Sequence, residues 1–319
     1  MVSRLNLADK MATFLGMPAS EVSQLAGKMS KWYKRYEKPK KNGGKRVIFH
    51  PCRQLKALQY AVSEIVLNNF NIHPIAHAYI PGKASPLKKS AEEHASYRYT
   101  VRIDFKDFFP SIRPGDLKIR IEKAYTLSNS DNLLLGQILF YSGLAYQGIP
   151  PFLPIGAPTS PVISNIVMTD LDEKFDSISK AVDQDSGISR YADDLYFSTN
   201  EKGGCRQFHK GVQRLLSKTE SPRLVINENK TLYLSKGTKR VVNGLYVTPD
   251  GNVSIGRERK TKIKSMIYKH SKSPLSVEEL KRAQGVLAYI QDCEPEFYNR
   301  LAQKYGEHFY SIKDMKFTP

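Results

Sequence analysis

Three aspartates in this chain stand where carboxylates are costly. Asp104 closes the run Tyr99-Thr100-Val101-Arg102-Ile103, and Asp193-Asp194 interrupt an apolar stretch flanked by Tyr191-Ala192 and Leu195-Tyr196-Phe197. Adjacent like charges repel, and apolar neighbours raise the cost of ionising either one. A bound cation removes both penalties. Mg²⁺ suits hard carboxylate oxygens and keeps positions for water and substrate phosphate. Two such ions about 3.5–4 Å apart can hold the attacking and leaving oxygens of an in-line phosphoryl transfer. An Asp-Asp pair alone is equally a turn signal, so the surrounding pattern has to decide.

The elements that must position these carboxylates are legible in outline. Tyr99, Val101 and Ile103 alternate with Thr100, Arg102 and Asp104, the two-residue period of a half-buried strand, which puts Asp104 at its end on the face opposite the apolar side chains. Pro110 stops that strand from simply continuing. Residues 188–199 are apolar on both sides of Ala192-Asp193-Asp194 and read as a tight hairpin. Pro154 to Pro161 form a Gly/Pro-rich loop feeding a helix through Ile163, Ile166, Val167, Leu171 and Phe175. Val241 to Ile255 read as a second hairpin that turns at Pro249-Asp250-Gly251. Beyond it the chain is helical, with Ser276 and Glu279 as a capping box.

Towards the N-terminus, residues 1–36 read as helical, and Leu55 to Phe70 follow helical spacing. Between them, Asn42-Gly43-Gly44 signals a turn and Lys45 to Phe49 a strand. Lys28 to Lys56 hold eleven Lys or Arg against one acid, Glu37, with Trp32, Tyr33 and Tyr36 interleaved. Such a run is a solvated face or, with its aromatics, a platform for a single strand.

Composition narrows the function classes. Of 319 residues, 40% are hydrophobic and 25% charged, an ordinary globular balance. Lys plus Arg number 49 against 31 acids, a formal charge of +18, which favours a polyanionic partner. No apolar run is long enough to span a bilayer and the N-terminus lacks a signal-peptide pattern, so no membrane is expected and a cytoplasmic location is. Cys52, Cys205 and Cys293 form no CxxC pair, which argues against a zinc site or disulfide framework. No βαβ alternation with a Gly-rich phosphate loop occurs, which disfavours Rossmann and P-loop folds.

Set in order, the motifs resemble those of reverse transcriptases. Tyr191-Ala192-Asp193-Asp194 resembles the YxDD signature, and Asp104-Phe105-Lys106-Asp107-Phe108-Phe109-Pro110-Ser111 its DxxxFFxS companion. Leu153-Pro154-Ile155-Gly156-Ala157-Pro158-Thr159-Ser160-Pro161, with Asn165 following, resembles the LPQGxPxSP loop, Ile155 standing where Gln is usual. Asn227-Glu228-Asn229-Lys230-Thr231 is similar to the later lysine motif, and Lys45-Arg46-Val47-Ile48 to the first fingers strand. Within the family, the retron type is the nearest likeness. Ser90-Ala91-Glu92-Glu93-His94 resembles its NAxxH element and Val242-Asn243-Gly244 its VTG element, with Ser for Asn and Asn for Thr.

The resemblance implies an α+β right hand: an antiparallel palm sheet packed on helices, with fingers before it and a helical thumb after. Residues 1–97 would be N-terminal helices and fingers, to which about 115–155 also belong; 98–114 and 156–247 would be palm, and 248–319 thumb. It further implies that Asp104, Asp193, Asp194 and the Phe105 carbonyl hold two Mg²⁺ ions, and that Lys230 protonates the leaving pyrophosphate. Lys45, Arg46, Phe109, Gly156 and Ala157 would contact the incoming dNTP, Phe109 as a gate against a ribose 2′-hydroxyl and Phe108 as core. Arg257, Arg259, Lys260, Lys262 and Lys264 would grip RNA or the RNA–DNA duplex. His77 and His94 would be structural or RNA-facing, since metal-dependent nucleotidyl transfer needs no histidine base.

The implied activity is RNA-directed DNA synthesis on a cognate structured noncoding RNA that also primes, from a guanosine 2′-hydroxyl, leaving a branched RNA–DNA hybrid. The implied partners are that RNA, its DNA product, dNTPs, a separate effector protein of an antiphage system, and a host ribonuclease H. Two other readings compete: a silent RNA-binding scaffold on the same fold, and a group II intron-like enzyme using general primers.

Overall fold

The computed structural model describes residues 3–28, 32–39, 43–80, 82 and 84–316. The chain opens with a two-residue strand β1 (Ser3–Arg4) and helices α1 (Leu7–Leu15) and α2 (Ala19–Gly27). Leu7, Met11, Val22 and Ala26 form their buried stripe. Strands β2 (Tyr33–Pro39) and β3 (Lys45–Pro51) then pair antiparallel along their full length, Tyr33 opposite Pro51 and Pro39 opposite Lys45. Helical expectation for residues 1–36 therefore fails at Tyr33. Hydrogen bonds to β3, beyond the turn, decide that segment, and a local pattern of aromatics and cations does not reveal them. Gly43 and Gly44 both have positive φ, as the expected turn requires, while Asn42 lies outside the described residues.

Helix α3 (Arg53–Ile65) buries Leu55, Leu58, Ala61 and Val62, and α4 (Pro86–Glu92) precedes strand β4 (Tyr99–Asp104). After it come α5 (Phe108–Ser111), α6 (Pro114–Ile121), β5 (Tyr125–Thr126), which pairs parallel with β1, and α7 (Asn129–Leu139). The Gly/Pro-rich loop leads into α8 (Ser160–Val182), followed by β6 (Gly187–Tyr191), β7 (Asp194–Thr199), α9 (Gly204–Ser217) and β8 (Leu232–Ser235).

These strands form an antiparallel sheet in the order β6-β7-β4-β8. Val101 and Ile103 of β4 and Leu195 and Phe197 of β7 belong to one buried cluster with Phe175 of α8 and Phe208 and Val212 of α9. The opposite face is not open to solvent, as a half-buried strand predicts. Thr100 and Asp104 are buried, and Tyr196 belongs to a second cluster formed largely by the C-terminal helices.

That second cluster starts at a small sheet of β9 (Arg240–Val242), β10 (Leu245–Val247) and β11 (Val253–Ser254). The expected hairpin with its Pro249-Asp250-Gly251 turn is present between β10 and β11. A further turn at Asn243-Gly244, both with positive φ, adds β9 to it. Arg240 is buried and donates to the carbonyls of Tyr97 at 2.6 Å and Ala95 at 3.2 Å, tying this sheet to the segment that enters β4. Helices α10 (Arg257–Lys272), α11 (Val277–Cys293), α12 (Pro295–Tyr305) and α13 (Glu307–Lys313) complete the chain. Ser276 and Glu279 cap α11 reciprocally, as expected. Among the described residues no helix is long and apolar enough to cross a membrane.

Candidate active site

Sheet register brings the three aspartates to one place. Asp104 at the end of β4 lies opposite Asp194 at the start of β7, and Tyr191 pairs with Asp194 across the Ala192-Asp193 turn. Ala192 takes φ 57 there, an uncommon backbone for a residue with a Cβ. The Phe105 amide donates to the Asp193 carbonyl at 3.0 Å, which joins the turn to the chain leaving β4. The Phe105 ring is buried against Phe108 and Phe175, so only its backbone faces the site.

Each flanking carboxylate has a cationic partner. Arg102 addresses Asp194 with both arms of its fork, Nε to Oδ1 at 2.9 Å and Nη2 to Oδ2 at 3.0 Å. Lys230 Nζ stands 3.1 Å from both oxygens of Asp104. Asn227 donates its side-chain amide to Asp104 Oδ1 at 3.0 Å and its backbone N–H to the Asp104 carbonyl at 2.7 Å. Burial pushes the Asp194 carboxyl up to about 6, with Arg102 pulling against it and Asp193 adding repulsion. Asp193 is raised as well, again chiefly by burial.

A set of hard, partly desolvated, mutually repelling oxygens fits a divalent cation. Among the described residues no three such side chains already stand in coordinating geometry; two are turned onto Arg102 and Lys230.

The turn itself is held from beneath by a buried arginine. Arg190 is 0% exposed and forms a bidentate pair with Asp172 of α8, both contacts at 2.6 Å. Its remaining donors reach the strained Ala192 carbonyl at 3.1 Å and Asn165 Oδ1 at 3.2 Å. Four bonds to one guanidinium make the buried charge tolerable and aim the Asp193-Asp194 tip. Arg102, Arg190, Asp172 and the Asn227 side chain escaped the sequence reading. The available signal was a charge inside an apolar run: Arg190 directly before Tyr191, and Asp172 directly after Leu171.

The expected nucleotide contacts fall on β3, on the Pro154–Pro161 loop and on Phe109. Lys45 and Arg46 start β3 and are exposed, with Lys45 Nζ 2.8 Å from Glu37. The Phe49 amide donates to the Ile155 carbonyl at 2.8 Å, fastening β3 to the Pro154–Pro161 loop. Gly156 is required there: with φ 115, a Cβ would fall 2.8 Å from the Phe49 carbonyl oxygen. Ala157 is buried beside it. Phe108 is buried, as predicted, and Phe109 is partly exposed with Tyr79 6.3 Å from its ring centre.

The basic residues of α10 divide between two jobs. Arg259 donates to the Gly244 carbonyl and lies over the Tyr289 ring; Lys260 pairs with Glu294 and lies 5.0 Å from the Phe297 ring, with Lys264 at 5.6 Å. These contacts brace the C-terminal helices, with Lys260 half-buried and Arg259 and Lys264 still exposed. Arg257 and Lys262 are exposed, beside Thr261 and Ser265.

The two retron-like elements meet. Asn243 Nδ2 donates to Ser90 Oγ at 2.7 Å, so the amide and the hydroxyl have exchanged elements relative to the NAxxH and VTG patterns. Ser90 also contacts Ser189 at 2.9 Å, and His94 bridges Ser189 and Ser198 at 2.8 Å each. Burial holds the His94 imidazole down to about 3, so it is neutral and structural in this network. His77 is buried, its backbone N–H donating to the Arg190 carbonyl.

Comparison with known proteins identifies the family. The family model described as reverse transcriptase (RNA-dependent DNA polymerase) matches residues 38–268. The chain is 36% identical over 285 residues to the Escherichia coli retron Ec83 reverse transcriptase, covering 89% of each chain. It is 34% identical over 308 residues to the retron Ec73 enzyme of the same species, covering 93% of each. A relative from Myxococcus xanthus, the retron Mx65 reverse transcriptase, is 27% identical over 282 residues, 85% of this chain and 64% of that one. The chain belongs to the reverse transcriptases, RNA-dependent DNA polymerases, and within them to the retron enzymes.

Proposed function

We propose that this reverse transcriptase copies a structured noncoding RNA into single-stranded DNA at a centre built from Asp104, Asp193 and Asp194. The observation that carries the reading is the β4–β7 register, in which Asp104 and Asp194 face each other beside the Asp193 turn. The fold would be a right hand. Its palm would be the β6-β7-β4-β8 sheet on α8 and α9, its fingers the β2–β3 hairpin with the N-terminal helices and about 115–155, and its thumb the helices from α10 onward.

Mg²⁺, when bound, would neutralise the developing charge between the attacking hydroxyl and the leaving pyrophosphate. Asp104, Asp193 and Asp194, with the Phe105 carbonyl, would hold it. Arg102 keeps Asp194 in one orientation, and Arg190 keeps the turn in place from below. Lys45 and Arg46 would receive the triphosphate, and Gly156 and Ala157 would shape the floor under the nascent pair. Phe109 would exclude the ribose 2′-hydroxyl by collision and by leaving it unpaired. Lys230, already beside Asp104, would reach the leaving pyrophosphate as its proton donor.

By retron kinship, the template RNA would also prime, from a guanosine 2′-hydroxyl, to give a branched hybrid. Arg257 and Lys262, exposed on α10, would meet its phosphates, while Arg259, Lys260 and Lys264 would also act through the thumb's packing. A separate effector protein, antiphage defence, template removal by host ribonuclease H and a cytoplasmic setting complete the proposal.

Asp193→Asn combined with Asp194→Asn tests it. Primer extension with dNTPs should fall by roughly 10³-fold or more while RNA binding persists. Undiminished incorporation by that variant would remove the aspartates from the reaction. RNA binding without any incorporation by the unaltered protein would favour a scaffold instead.

A further inference from the structure

Tyr79 is an exposed aromatic in a backbone conformation that aromatic residues avoid. Its φ is 62 and it is 42% exposed, on the loop between α3 and α4. The residues just before it are pinned. Arg190 N donates to the Ile75 carbonyl at 2.6 Å, His77 N to the Arg190 carbonyl at 2.9 Å, and Asn165 Nδ2 to the Ala78 carbonyl at 2.8 Å. Those bonds come from the strand and helix that carry the Asp193-Asp194 turn. The left-handed step at Tyr79 is therefore imposed by the active-site scaffold and is not an accident of a loose loop. A strained side chain kept in the open, rather than packed away, calls for a role at the surface it faces.

Its neighbours say which surface that is. The Tyr79 ring centre lies 6.3 Å from that of Phe109 and 6.5 Å from that of Tyr191. Burial raises the Tyr79 phenol above its ordinary range, with the Asp193 charge adding to the rise and Arg46 opposing it. One side chain thus stands between the expected sugar gate, Phe109, and Tyr191, two residues before the turn aspartate. Nothing in the sequence motifs assigned it a task.

We propose that Tyr79 is a substrate-contacting wall of the nucleotide pocket, forming with Phe109 an aromatic notch that takes the deoxyribose of the incoming dNTP. This rests on the polymerase reading above and adds a specificity-determining residue to it. The ring would narrow the notch from the side opposite Phe109's chain, so that a ribose fits worse than a deoxyribose. The phenol hydroxyl is not needed for that, and the ring is.

Tyr79→Gly and Tyr79→Phe separate the possibilities, because glycine is at ease at φ 62 and phenylalanine keeps the ring. For Tyr79→Gly we expect KM for dNTP to rise about tenfold with kcat within about threefold, and the preference for dNTP over rNTP to shrink. Its melting temperature should stay within about 2 °C of the parent, and Tyr79→Phe should match the parent throughout. Binding of the base-fluorescent 2-aminopurine deoxyriboside triphosphate with Mg²⁺, which needs no turnover, should weaken about tenfold in Tyr79→Gly alone. An unchanged KM and unchanged binding of that nucleotide in Tyr79→Gly would overturn the proposal, as would a lower melting temperature with both constants intact. If the parent binds that nucleotide in a Tyr79-dependent way yet incorporates no dNTP, the polymerase reading fails and the pocket assignment survives.

Discussion

At the scale of single residues, the site's charge balance is local and already paired. Arg102 holds both oxygens of Asp194, and Lys230 both oxygens of Asp104, so the chain supplies two cations of its own to three carboxylates. Arg102 is short of motion, being bidentate on a strand; Lys230 is a flexible arm whose side chain is 58% exposed. The first suits orientation and the second suits movement between partners. Arg102→Ala is expected to lower kcat roughly 10–100-fold, as loss of a carboxylate's supporting partner does, with KM for dNTP little changed. Arg102→Lys should recover part of it, restoring charge without the fork. Steady-state primer extension over a dNTP series checks both. Equal loss in the two variants would mean that charge is irrelevant and only the fork counts.

At the scale of elements, the Asp193-Asp194 hairpin is only as well placed as the helix behind it. Arg190 and Asp172 are both fully buried and answer each other, and through them α8 fixes the tip of the β6–β7 turn. Asp172→Asn would leave a buried guanidinium uncompensated. The expected cost is about 3–5 kcal/mol, a melting temperature lower by roughly 10 °C, readable by thermal unfolding. This pair also marks the limit of pattern reading. The hairpin, the β4 strand and the Ser160–Val182 helix follow from hydrophobic spacing, which is a property of neighbours in the chain. The Arg190–Asp172 bond spans eighteen residues and two element types, and periodicity sees each partner only as an exception to its own pattern. Tyr33 to Tyr36 read as helix but fold as strand for a related reason, since a strand is stabilised by a partner that local propensity does not contain.

At the scale of the whole molecule, a charge of +18 predicts polyanion binding but not which cations perform it. Of the α10 residues expected to grip nucleic acid, Arg259, Lys260 and Lys264 each make a contact that braces the C-terminal helices, although Arg259 and Lys264 stay exposed, and Arg257 and Lys262 are exposed beside them. Arg257→Gln with Lys262→Gln should therefore reduce the slope of log affinity against log salt by about 1.4–1.8 for RNA, leaving the melting temperature unchanged. Arg259→Gln should do the reverse, lowering the melting temperature with a smaller change in slope. Salt titrations of RNA binding beside thermal melts separate the two classes.

The amino-acid order alone determined which chemistry was available. Asp104, Tyr191-Ala192-Asp193-Asp194, the Pro154–Pro161 loop and Lys230 carry the family's signature in residue type and spacing, and an α+β chain with a nucleic-acid partner follows from them. What only the tertiary structure decided is how that chemistry is supported: Arg102 on Asp194, Arg190 under the turn, Ser90 against Asn243, and Tyr79 held open beside Phe109. The reason is physical. Residue type and hydrophobic period are local quantities, whereas a buried hydrogen bond or a strained exposed ring depends on strand register and on packing between separate elements, up to 153 residues apart for Ser90 and Asn243.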